Sequence, residues 1–133
     1  MKADWIVVGA CSGALAVVLG AFGAHGLADR LEVSELEVWS TAVHYQMFHA
    51  LALLVVGVLA RGAGAAGRAR SLNGAGWAFA AGTVAFSGSL YALVLGGPRI
   101  LGPVTPLGGA GLIAGWLLLA VAARGSGAPP GSG

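Results

Sequence analysis

The sequence predicts an all-α fold: an integral membrane four-helix up-down bundle with both termini cytoplasmic. Three observations predict it. Apolar residues make up 57% of the 133-residue chain and charged residues only 9%, where a soluble domain carries about 25% charged residues to keep its surface in water. The apolar residues gather in four runs of roughly 20, enough to cross a ~30 Å hydrocarbon core at 1.5 Å per residue. Half of the 24 glycines lie inside those runs, where small residues let helices approach closely. Mean hydropathy is accordingly high, at +0.85.

Composition also excludes several classes. The single cysteine, Cys11, rules out an internal disulfide and a Cys-based zinc site, and its place mid-run reads as a small buried hydrophobe. A net charge of +2 is too small to indicate nucleic acid. No acidic residue lies inside an apolar run, so the coupling carboxylate of a proton or cation antiporter is missing. There is no Ser–His–Asp set, phosphate loop or CxxC.

One domain is expected over 1–123, with helices at about 5–24, 34–60, 76–95 and 106–123, then a flexible polar tail over 124–133. The first run, from Trp5, competes with a secretory signal peptide because Lys2 precedes it. It is longer than the 7–15 apolar residues of such a peptide, so a retained helix is preferred. Gly9, Gly13, Ala16 and Gly20 fall on one of its faces and predict a packing seam.

The second helix follows an acidic connection, Asp29 to Glu37. Ser34 and Glu37 have capping-box spacing, and Trp39 reads as an interfacial anchor. The third carries a small-residue face of Gly74, Ala78 and Gly82 and stops at Gly96-Gly97-Pro98. In the fourth, Pro106 suits a first turn, where a missing amide proton costs nothing, and Gly111 and Gly115 form a GxxxG pair. With four crossings, Lys2, Arg61, Arg68, Arg70 and Arg124 share one side, against Arg30 and Arg99 on the other. Positive residues accumulate in the cytoplasm, so both termini are placed there.

With that topology, polar groups from all four helices fall in the outer half of the bilayer. Tyr45, Gln46 and His49 sit three or four residues apart and are expected to share a face of the second helix, with His44 off it. Ser87 and Tyr91 share a face of the third, His25 lies at the outer end of the first, and Thr105 opens the fourth. Buried polar groups in lipid either pair across helices or mark a ligand or ion path. A haem between His25 and His49 would need the two at equal depth, and His25 lies nearer the surface. No cofactor is expected.

These residues also carry a resemblance. GAFGAHGL at 20–27, the W-x-T-A-x-x-Y-Q-x-x-H pattern from Trp39 to His49, FSGSLY at 86–91, LGPVTPLGG at 101–109 and Gly115-Trp116 occur in that order. In these motifs the chain resembles the domain-of-unknown-function 423 family, small four-helix membrane proteins of the YgdD-like and transmembrane protein 256-like kind. The resemblance implies a multi-pass protein of the inner or an organellar membrane and carries no established activity, so no catalytic residue comes with it.

The expected function is that of a non-enzymatic membrane protein binding a small ligand, lipid or ion at His49, Gln46, Tyr45, His25, Tyr91, Ser87 and Thr105. One alternative is an assembly subunit, packing through its glycine faces into a homo-oligomer or larger complex. The other is an oligomeric transporter of small solutes or ions. The bilayer is the partner common to all three.

Overall fold

The computed structural model describes residues 3–124. Its helices are α1, Trp5–His25; α2, Val33–Arg61; α3, Ala66–Val94; and α4, Val104–Arg124, with a single 3-10 turn, Arg99–Leu101, between α3 and α4. All four long helices have the length and apolarity to cross a membrane, and the chain is a multi-pass membrane protein. Of the polar tail expected over 124–133, only Arg124 is described, and it closes α4.

Local chemistry sets the ends. The Asp4 carboxylate accepts the amide protons of Ile6 and Val7 at 3.0 and 3.4 Å, capping α1. At its other end the Gly26 and Leu27 amides both return to the Phe22 carbonyl.

Two starts differ from expectation. For α2 the Glu35 carboxylate accepts the Glu32 amide at 2.9 Å, so the box lies two residues before Ser34–Glu37. Both pairs have the right spacing, and the extended backbone at Glu32 selects the earlier one. Helix α3 begins at Ala66, ten residues before the expected Gly76. Ala, Arg and Leu are good helix formers, and burying Leu72 completely rewards nearly three extra turns beyond the apolar run.

Consecutive helices run antiparallel. Arg61 meets Asp4 at 3.7 Å, and the Trp5 indole donates to Asn73 Oδ1 at 3.3 Å. Ala122 near the end of α4 joins the same core as Trp5 and Leu72. The start of α1, the α2–α3 connection and the end of α4 therefore share one end of the bundle. Helices α2 and α3 form the central pair, α1 packs on α2 and α4 on α3, and α1 and α4 share no seam. Phe79, Leu53, Leu72 and Val56 are the largest fully buried apolar side chains. Val17, Val18, Val84, Ile113 and Leu117 face outward with over 60% exposure, an arrangement that lipid tolerates and water does not.

The glycine faces are used inside the chain. A methyl on Gly9 would stand 2.8 Å from the Ala50 carbonyl of α2, and one on Gly108 would strike the backbone of Ala85 and Phe86 in α3. Gly82 faces Leu112 and the Gly108 carbonyl, while Gly115 leaves room for the Phe79 ring. Trp39 corrects a further expectation. It is no interfacial anchor but 3% exposed, filling the space that Gly23 leaves on α1 and donating to the Leu19 carbonyl at 2.9 Å. An indole flanked by a glycine on the facing helix gains more by packing there than at the membrane surface.

Candidate functional site

The polar residues of α2 do not form one patch. Gln46 and His49 are three positions apart, about 60° around a helix of 3.6 residues per turn, and in this bundle that separation sends them to different neighbours. Gln46 bridges three helices: its Nε2 donates to the Ser12 carbonyl of α1 at 3.0 Å, and its Oε1 accepts the Tyr91 hydroxyl of α3 at 2.8 Å. Tyr91 in turn lies 4.7 Å, ring to ring, from Trp39.

His49 turns toward α4. Its Nε2 accepts the Trp116 indole N–H at 3.2 Å, and its Nδ1 lies 2.6 Å from the Tyr45 carbonyl one turn back. An indole only donates, so Nε2 is the acceptor and the proton sits on Nδ1, donating to that carbonyl. Both ring nitrogens are thereby occupied in the neutral form. The Phe79 ring, 5.6 Å away, completes the surroundings.

Ser87 Oγ donates to the Ala42 carbonyl at 2.7 Å, tying α3 to α2. The Ser89 and Thr105 hydroxyls meet at 2.6 Å and tie α3 to α4. Tyr45 stays beside His49 but apart from Gln46: it is 43% exposed and its ring stacks on Phe86 at 4.3 Å and on His49 at 6.0 Å. His25 is exposed at the end of α1, whereas His49 lies about 24 Å along α2 from its start. The two histidines are not brought together. His44, held off the shared face in the sequence, is exposed beside Ser40. Among the described residues no group of three or more His, Cys, Asp or Glu side chains could hold a metal.

Sequence reasoning missed Trp116, Trp39 and Ser89 as partners in this cluster. Two of them carry a readable signal: an indole N–H deep in an apolar helix needs an acceptor. The Ser89–Thr105 pair carries none, because the turn between α3 and α4 decides which residues meet.

Two hollows flank the cluster. One, of about 530 Å³, lies between α2 and α4 along Tyr45, Phe48, His49 and Trp116; the His49 nitrogens beneath it are already bonded. The other, of about 370 Å³, separates α1 from α3 and is lined by Cys11, Ser12, Leu15, Gln46, Thr83 and Gly88 among others. Gln46 spans from α1 to α3 as part of its lining.

Comparison with known proteins places the motifs in a wider set. Residues 19–109 match the family model described as a protein of unknown function, DUF423. The membrane protein YwdK of Bacillus subtilis is 49% identical over 119 residues, covering 90% of this chain and 94% of the relative. Membrane proteins of the UPF0382 group from Staphylococcus epidermidis and a bovine strain of Staphylococcus aureus are 46% and 45% identical over 118 residues, covering 89% of this chain and 93% of each relative. No solved structure matches.

Proposed function

This chain belongs to the DUF423 family, and from that footing we propose that it works by binding rather than by catalysis, holding a component of the bilayer in the cleft between α1 and α3. The polar cluster is a clasp that keeps the four helices in register. One observation carries this reading: Gln46 is bonded at both ends and His49 at both nitrogens, each to groups of the same chain. The side chains best suited to acid–base or ligand chemistry are therefore spent internally, and the open space lies beside them. Interhelical hydrogen bonds of this kind contribute about 0.6–2 kcal/mol each, enough to set the register of otherwise interchangeable apolar helices.

This moves the binding site from the cluster to the cleft next to it. The assembly reading loses its main support, since Gly9, Gly82, Gly108 and Gly115 all face partners within the chain. Native mass spectrometry of the full chain released from nanodiscs tests the binding reading. A bilayer molecule retained on the folded protein through detergent exchange is the expected result; bare protein under all conditions that preserve the fold contradicts it.

A further inference from the structure

The cleft between α1 and α3 has two features that packing within the chain does not explain. Thr83 lines it, only 7% exposed, and its hydroxyl is buried with no hydrogen-bond partner among the described residues. An unpaired polar group in lipid costs several kcal/mol, and nearby Ser87 and Ser89 both escape that cost by bonding carbonyls. The second feature is Gly88, also in the lining. A side chain there would meet nothing within 4 Å, whereas one at Gly76 or Gly82 on the same helix would collide with Trp5 or Leu112. Glycine inside a helix is less favourable than alanine, and among the described residues no neighbour repays it.

Position narrows what would satisfy both. Thr83 lies about 16 Å along α3 from its end at Val94, near the middle of a ~30 Å hydrocarbon core. The cleft follows α1 from Val8 to Leu19, about 16 Å of helix, and its walls are apolar except for Thr83, Gln46, Ser87 and Tyr91 on one side and Ser12 on the other. A phospholipid chain fits the length but brings no oxygen to that depth.

We propose that the cleft binds a long-chain, bilayer-soluble molecule carrying a hydroxyl or carbonyl oxygen part-way along its chain. That oxygen bonds the Thr83 hydroxyl once a rotation about χ1, which helical threonine shares between two rotamers, turns it from its buried position to the cleft wall, and the chain passes over Gly88. The inference rests on the binding reading above and adds the site and the ligand class.

Cys11, exposed on α1 and not the buried hydrophobe its mid-run place suggested, lines the same cleft and is the chain's single cysteine, so it reports occupancy without any introduced label. The rate of its reaction with N-ethylmaleimide is measured on the full chain in nanodiscs, with stearate or with hydroxystearate bearing its hydroxyl at mid-chain. Hydroxystearate is expected to protect Cys11 at concentrations roughly 3- to 30-fold lower than stearate, the factor that one hydrogen bond in lipid carries. Thr83→Val removes that difference and leaves protection by stearate unchanged. Gly88→Leu fills the cleft and removes protection by both, with an unchanged melting temperature showing that the fold survives. Equal protection by the two probes overturns the proposed ligand class and leaves cleft binding standing. Protection by neither probe overturns the binding reading as well.

Discussion

His49 and Trp116 are hydrogen-bonded across the bundle, indole N–H to Nε2 at 3.2 Å, and their rings cross at 62°. Among the described residues this is the side-chain hydrogen bond that ties α2 to α4, beside the groove between them. It also fixes His49 as the neutral tautomer with its proton on Nδ1. A histidine held this way is an architectural element, and the behaviour of its neighbours follows.

Replacing Trp116 by phenylalanine keeps an aromatic ring beside Phe79 and removes the donor. The expected loss is about 0.6–2 kcal/mol of unfolding free energy, read by reversible unfolding in mixed micelles. A double-mutant cycle with His49→Phe should show coupling of that order; additive effects would mean that the bond contributes nothing.

Gln46→Leu deletes both arms of the α1–α2–α3 bridge and leaves the Tyr91 hydroxyl without its acceptor. An orphaned buried group costs about 1–3 kcal/mol, so this variant should be less stable than Tyr91→Phe, which removes one arm and strands only the Gln46 oxygen. Thermal melts of the two side by side decide the matter. A Gln46→Leu protein as stable as wild type would show that the bridge does not hold the helices.

The close helix seams make opposite predictions for two glycines. Gly108→Ala drives a methyl into the α3 backbone at Ala85–Phe86, and overpacking of this kind costs about 1–3 kcal/mol. Gly88→Ala meets open space and should be neutral or slightly stabilising. Yield of monodisperse protein on size exclusion, together with the melting temperature, separates them; equal tolerance at both positions would contradict the packing described.

Much of this was legible in the sequence, and the failures have physical causes. Four apolar runs specified four helices, and the small residues at Gly9, Gly13, Ala16 and Gly20 marked the face of α1 that meets α2. Hydropathy could not reveal the start of α3, because Arg68 to Asn73 is helical but polar. Spacing alone placed Tyr45, Gln46 and His49 on one face. It did not show that α1 and α4 stand on different sides of the central pair, so that about 60° of rotation separates one set of partners from the other. Trp39 illustrates the same limit: an aromatic at the entrance of a span reads as a surface anchor until Gly23 is found opposite it.

Orientation rests on charge. Arg61, Arg68, Arg70 and Arg124 lie at the end of the bundle that holds the start of α1, and the positive-inside rule places that end in the cytoplasm. A reporter that is active only in the cytoplasm should work when fused to the C-terminus and fail when inserted at the turn near Arg99. The reverse pattern would invert the topology.

The most direct test of the central claim joins stability and binding in one variant, His49→Ala. Melting temperature and retained bilayer molecule are measured on the same nanodisc preparation. If the polar cluster is a clasp and the cleft is the site, the melting temperature falls and the molecules bound per folded protein stay at the wild-type level. An unchanged melting temperature with the bound molecule lost would contradict the account and return His49 to the role of ligand-binding residue.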